Sequence, residues 1–229
     1  MEELKRYSII DTKMKREFIL LQGQGCKWAH CTFCDYYNDV CADPYAVNAP
    51  VLDMVTGEYG VLDIINSGSA AEFDVRTLEH IRRVVIEKDI KTLWFEMHYM
   101  YRKQLSAFAA QFPCEVKFRT GIESFDPILR KSWRKGIPDS VTPKDVAEYF
   151  KGVCLLCCTE GDSKERILRD IEIARENFEY FSVNVFCNNT SAVKRDIELA
   201  EWFEREVYPV IKNDPRIEVL LNNTDLGVG

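Results

Sequence analysis

"GQGCKWAHCTFCDYY" (residues 23–37) carries three cysteines, Cys26, Cys31 and Cys34, in the spacing C-x4-C-x2-C. What precedes it matters as much as the cysteines. "EFILLQ" (residues 17–22) is a short apolar run closed off by glycine, which reads as a β-strand. The cysteines therefore sit in a glycine-flanked loop at the C-terminal end of a strand. That placement makes the rest of the chain a question of how many more strands follow, and in what direction.

Runs of the same kind recur. "VLDIIN" (61–66), "TLWFEM" (92–97), "CEVKFRTGIE" (114–123), "GVCLLCCT" (152–159), "YFSVNVFCN" (180–188) and "IEVLLNN" (217–223) are each short and rich in β-branched or aromatic residues. Helical periodicity fills the intervals. Over residues 74–87, Val75, Leu78, Ile81, Val84 and Val85 fall on one face. Over residues 163–178, Ile167, Leu168, Ile171 and Ala174 do the same, with Asp162 and Ser163 as N-cap residues. "SAVKRDIELAEWFEREVYPVI" (191–211) predicts a third long helix. Strands alternating with helices imply an α/β fold of parallel strands joined by right-handed crossovers. Residues 35–59 break the pattern. They contain Pro44 and Pro50, read as irregular, and suggest a lid or a wrap shielding the cysteine loop.

The bulk numbers narrow the function classes. The chain has 229 residues, which suits one domain spanning 1–229, and 46% apolar with 29% charged residues is ordinary for a globular protein. The formal charge is −7, and the longest basic stretch is "LRKSWRKG" (129–136), read as a solvated helix end. Binding a large nucleic acid needs clustered Lys and Arg, so none is expected as partner. No apolar run approaches the ~18 residues of a membrane span, and "MEELKRYSII" does not read as a signal peptide. Nine cysteines, an odd number, fit metal ligands or core residues in a cytoplasmic protein better than disulfides.

Three close cysteines ask what they hold. A structural zinc site takes four ligands, and His30 or Cys41 would have to complete it. His30 adjoins Cys31, and neighbouring residues chelate one ion poorly. An iron–sulfur cluster is the better expectation. Three thiolates on a four-iron cluster leave one iron open, and an open coordination position marks a catalytic metal centre.

With these residues in view, the chain resembles the radical S-adenosylmethionine (SAM) superfamily. Its usual motif is C-x3-C-x2-C in a loop after the first barrel strand, with an aromatic residue before the last cysteine. Here Phe33 precedes Cys34, and the departure is one extra residue between the first two cysteines. "NSGSAAEFD" (66–74) resembles the family segment that meets the methionine amino group. Residues 119–136 resemble the fourth-strand region near the ribose, while residues 155–174 and 182–191 resemble the fifth and sixth strands. The resemblance implies a partial (β/α)6 TIM-like barrel. It implies a [4Fe–4S] cluster on Cys26, Cys31 and Cys34, with S-adenosylmethionine on the open iron. It further implies a 5′-deoxyadenosyl radical that takes a hydrogen atom from substrate, and a reductant such as flavodoxin or ferredoxin.

Active residues of such barrels sit at the C-terminal ends of strands. That includes Ser67, Gly68, Ser69, Glu123 and Asn188, and the resemblance implies these, with Phe33 and Arg119, as cofactor contacts; Gly68 lets backbone approach a ligand, and Glu123 ends a strand where it can accept ribose hydroxyls. Glu96 and His98 alternate onto one face of an extended segment and are the candidates for substrate contact and catalysis. Cys154, Cys157 and Cys158 do not make a second cluster: Cys154 and Cys157 point to opposite faces, and Cys154 and Cys158 lie roughly 13 Å apart at ~3.3 Å per residue. These three, with Cys114 and Cys187, read as core packing. The short chain without appendages argues for a small, nucleoside-like substrate. It resembles the small queuosine-salvage lyases of the family, which release queuine from queuosine or its 5′-phosphate. The rival readings are another radical enzyme, such as a glycyl-radical activase or a deazapurine-biosynthesis enzyme, and a non-catalytic zinc or iron–sulfur binding module.

Overall fold

Each expected strand forms, because each is a short apolar run that pairs with its neighbours and buries side chains against the rest of the fold. The computed structural model describes residues 4–229. The elements run β1 (Tyr7–Ile10), β2 (Arg16–Leu21), α1 (Pro44–Asp53), β3 (Val61–Asn66), α2 (Val75–Glu87), β4 (Thr92–Glu96), α3 (Leu105–Ala109), β5 (Glu115–Glu123), α4 (Pro127–Ser132), α5 (Pro143–Ala147), β6 (Gly152–Cys157), α6 (Lys164–Asn177), β7 (Tyr180–Val185), α7 (Ile197–Trp202), α8 (Tyr208–Ile211) and β8 (Ile217–Leu220). The strands follow in sequence order through one eight-stranded sheet. Strand β1 is antiparallel to β2; β2–β3, β3–β4, β5–β6, β6–β7 and β7–β8 are parallel. Among the described residues this gives six βα repeats from β2 onward, closed by β8. It is the α/β class with the partial barrel connectivity expected.

The chain divides into two compact units. The first runs to Lys27 and takes in Tyr36–Phe118 and Leu226–Gly229. Its sheet face carries a buried ion pair, Arg16 Nε to Asp63 Oδ2 at 2.9 Å, with both side chains at most 1% exposed. Beside it Ile10, Phe18 and Val228 form a core with Leu20, Ile65 and Leu226. The late segment is stitched to β1: Ser8 Oγ donates to Leu226 O, and Gly229 N donates to Lys5 O at 2.8 Å. Phe95, Phe108, Phe112 and Phe118 make an aromatic core in the same unit, Phe95 meeting Phe108 edge-on at 5.3 Å.

The second unit comprises Trp28–Asp35 and Arg119–Asp225. Helix α6 starts where Ser163 Oγ accepts the Arg166 N–H, as its N-cap position requires. Its inner face buries Ile167, Asp170, Ile171 and Ala174.

The structure corrects several expectations. Residues 35–59 are irregular only at their flanks: Pro44 sits in the first turn of α1, where a missing N–H costs nothing, and the helix continues through Pro50 to Asp53. Asn48 of α1 binds both the N–H and C=O of Gln22, so α1 is a packed crossover helix rather than a lid. Val75 is 69% exposed and Leu168 45% exposed; Thr77 and His80 take the inner positions of α2, and Asp170 one of those on α6. The third helix begins only at Ile197, where the Asp196 carboxylate caps it, and passes through a π-helical stretch at Phe203–Val207. "LRKSWRKG" is not a solvated end, for Leu129, Arg130, Trp133 and Lys135 are all buried. Cys157 and Cys158 are buried as expected, but Cys114, Cys154 and Cys187 are only half-buried.

Candidate active site

In the first unit the site grows from the ends of β2, β3 and β4. Gly25 adopts a φ of 101°, a turn that favours glycine, and delivers Cys26. The backbone around Cys26 is fastened to one side chain. Glu72, 4% exposed, accepts the Lys27 N–H at 3.0 Å, the Ser69 N–H at 2.7 Å and the Tyr101 hydroxyl at 2.9 Å. Its own carbonyl accepts the Gln24 N–H at 2.9 Å. Burial, and then the bond to Glu72 with its charge, push the Tyr101 phenol up, so Tyr101 stays a donor. Gly68 lies so close that a Cβ there would overlap Glu72 Oε2 and stand 3.2 Å from Cys26 Cα. The backbone at Gly68 thus runs against Glu72 and the loop that bears the first cysteine.

Ser69 Oγ accepts the His98 N–H at 2.9 Å, which joins the ends of β3 and β4. His98 caps the following 3-10 turn through Nδ1, which accepts the Met100 N–H at 3.2 Å. The neutral ring therefore carries its proton on Nε2. Glu96 is half-buried at the last position of β4. Ser67 Oγ donates to Asp39 O at 2.9 Å. The Asp39 carboxylate takes a two-pronged ion pair from Arg6, at 2.7 and 3.1 Å, and a bond from Gln22 Nε2 at 2.6 Å.

In the second unit Cys31 and Cys34 sit on a different support. Ala29 has a φ of 42° and Cys34 N donates to Cys31 O at 3.3 Å, so the chain turns tightly between them. Both pack on a cluster of Phe33, Leu129, Trp133 and Phe186. Phe33 meets Trp133 edge-on at 5.5 Å. Thr32 N donates to Trp133 O at 3.0 Å, and Asn189 Nδ2 to Phe33 O at 2.9 Å. Asp35 Oδ2 accepts the N–H and hydroxyl of Thr190.

Glu123 closes β5 with a φ of 65°, a strained conformation for a residue with a side chain. Lys135 Nζ donates to its Oε1 at 2.7 Å, and both side chains are about nine-tenths buried. The ammonium fixes which way this carboxylate points and also lies 5.7 Å over the Phe33 ring. Arg119 is buried in β5, 7% exposed. Asn188 is exposed beyond the end of β7, and its Oδ1 accepts the Arg195 N–H at 2.8 Å.

Within the first unit the fold thus brings Cys26, Gly68, Ser69 and His98 together. Within the second it brings Cys31, Phe33 and Cys34 together, and pairs Glu123 with Lys135. Sequence reasoning singled out none of Glu72, Tyr101, Asp39 and Lys135. Glu72 had a signal: Ser69-x-x-Glu72 is the spacing of a capping box, and the carboxylate does accept the Ser69 N–H.

Cys26, Cys31 and Cys34 form no disulfide, and all three are half-buried. Cys41 Sγ donates to Gln22 Oε1 at 3.0 Å, and His30 packs edge-on to Trp28 at 5.3 Å, so the two candidates for a fourth zinc ligand have other contacts. Among the described residues no three His, Cys, Asp or Glu side chains converge as a cage for one ion. A cage of that kind belongs to a single metal; a four-iron cluster takes each thiolate on a different iron. Thiolate is the donor type such a cluster takes.

No protein-family model matches the chain, and no curated protein does. Solved structures do. A queuine lyase from Clostridium spiroforme bound to SAM and queuine is 39% identical, with a TM-score of 0.94 over 99% of this chain and 100% of that one. Streptococcus suis SuiB bound to precursor peptide SuiA is 15% identical, with a TM-score of 0.57 over 92% of this chain and 49% of that one, a likeness of fold alone. At 39% identity over the full length of both chains, this protein belongs to the queuine lyase family of the radical S-adenosylmethionine enzymes.

Proposed function

We propose that the protein is a radical SAM lyase that releases queuine from queuosine or its 5′-phosphate, acting as one catalytic domain in the cytoplasm. The observation that carries the reading is the full-length match to a queuine lyase bound to SAM and queuine. Cys26, Cys31 and Cys34 are the thiolates that hold the [4Fe–4S] cluster. When bound, cluster and SAM supply reductive cleavage of the sulfonium and the hydrogen-abstracting radical. The electron comes from a partner such as flavodoxin or ferredoxin. Among the described residues no helix is long and apolar enough to cross a membrane.

The chain's own part is to bind, orient and keep water out. The backbone of Ser67, Gly68 and Ser69 takes the amino end of SAM, and a Cβ at 68 would overlap the Glu72 carboxylate and crowd the loop bearing Cys26. Phe33 covers the cysteine turn with a ring. Glu123, held in one direction by Lys135, accepts ribose hydroxyls, and Arg119 and Asn188 are further contacts to the cofactor. Glu96 and His98 meet the substrate. His98 presents Nε2–H as a donor, because Nδ1 already accepts Met100 N–H, and Glu96 offers a carboxylate to the donor edge of a guanine-like base.

Anaerobic reconstitution followed by addition of queuosine 5′-phosphate tests the reading. Free queuine and 5′-deoxyadenosine are expected together, and Cys31→Ala takes both to background. Cofactor cleavage with no base released would overturn the lyase assignment and leave another radical reaction. A colourless protein binding one zinc would overturn the radical enzyme itself.

A further inference from the structure

We infer that Glu72 is a positioning residue, which locks the backbone next to Cys26 onto the Gly68–Ser69 turn so that the first cluster cysteine and the cradle for the amino end of SAM move as one body. The inference rests on the reading of Cys26 as a cluster ligand and of residues 67–69 as the SAM cradle. Three donors converge on this carboxylate from three separate segments: Lys27 N–H after β2, Ser69 N–H after β3, and the Tyr101 hydroxyl after β4. Glu72 is 4% exposed, so each of these bonds is screened from water. Gly68 removes the one side-chain atom that would hold the two backbones apart. The carboxylate is 46 residues downstream of Cys26 and does not itself ligate the cluster; it acts through the backbone of Lys27.

The chemistry demands an acid with two acceptor oxygens. Oε1 serves Lys27 and Tyr101 while Oε2 serves Ser69. A glutamine keeps one oxygen and turns an NH2 toward a donor on the other side, so either the Lys27 bond or the Ser69 bond is lost. Glu72→Gln should therefore separate the two backbones while leaving the side-chain volume unchanged. Tyr101→Phe removes one donor and spares both backbone bonds.

Hydrogen exchange on the cofactor-free full-length chain reads the lock directly. Glu72→Gln should speed exchange of the amides of residues 24–27 and 69 by about tenfold, the expected worth of one lost bond to a charged group, with little change elsewhere. In the reconstituted enzyme the same variant should raise the SAM concentration giving half-maximal 5′-deoxyadenosine by about tenfold, with a smaller change in the saturated rate. Tyr101→Phe should show about threefold effects at the same amides, and it decides the matter if Glu72→Gln fails to fold. Unchanged exchange at residues 24–27, or acceleration spread evenly over the chain, would overturn the lock. A parent protein that binds no SAM would sink the proposed function yet leave the exchange result standing, so the two failures are told apart.

Discussion

Around Cys26 the chain is braced by charge, and around Cys31 and Cys34 by rings. The first cysteine is tied to a buried carboxylate that gathers N–H and O–H donors. The other two lie on Phe33, Trp133, Leu129 and Phe186, with backbone bonds to Trp133 and Asn189 as secondary ties. The difference follows from what each segment adjoins. Residues 24–27 run against other backbone, where close approach is only possible at glycine and the exposed N–H groups need acceptors. Residues 31–34 run against a helix whose side chains offer bulk. Polar bracing fixes direction and distance; aromatic bracing supplies stability and tolerates small shifts.

The comparison breaks if the second segment also depends on charge, and Lys135 is the place to look. Lys135→Met leaves Glu123 buried without its counter-charge, and should cost about 3–5 kcal/mol in urea unfolding. Combining it with Glu123→Gln should return most of that loss, because the pair stabilises little beyond its own desolvation cost. If the double variant remains as unstable as the single one, charge matters here too. Phe33→Ala comes next, at about 3 kcal/mol, and it should lower iron retained after reconstitution while leaving exchange at residues 24–27 unaltered. Faster exchange at residues 24–27 would show that the two braces are not independent.

The smallest effect is a pH slope. Asp170 accepts from Ser124 Oγ and Phe125 N, and so fixes the turn leading into α4, the helix that carries Leu129 and precedes Trp133. Burial pushes its carboxyl up to about 6, against the pull of those two donors. The unfolded carboxyl titrates near ~3.9, so between that value and 6 the folded chain holds more protons. Stability contributed by this group therefore falls as pH rises through that window. Taking the parent from pH 7 to pH 5 should gain about 1.4 kcal/mol relative to Asp170→Asn, which lacks the titration. A slope of the opposite sign would mean that Asp170 is held as a charged acceptor. The turn under the aromatic brace would then rest on charge as well.

The seven strands β2 to β8 and their direction were legible because they are apolar runs cut off by Gly or polar residues, a local signal. The C-terminal ends were read too long, by one to three residues, at β2, β4, β6, β7 and β8. Those overruns are where the backbone leaves the extended region, as at Cys158 with its φ of 63°, and residue type does not announce the departure. Strand β1 was missed because its burial alternates over only four residues. The three cysteines stood out by their spacing, and Ser67, Gly68 and Ser69 by resemblance. Lys135 was not, since a lysine in a basic stretch looks solvated until the partner carboxylate twelve residues away is placed beside it. Glu72 was half-written in the Ser-x-x-Glu spacing, while its bonds to Lys27 and Tyr101 are products of tertiary structure.

The stitch between β1 and the late segment bears on how the molecule is made. Ser8 and Leu226 are 218 positions apart, and Val228 completes a core that Ile10 and Phe18 begin. Contacts of such range carry a large loop-closure cost and slow the search for the native state. On a ribosome the opening strand would wait, with one apolar face uncovered, until residues 226–229 emerge.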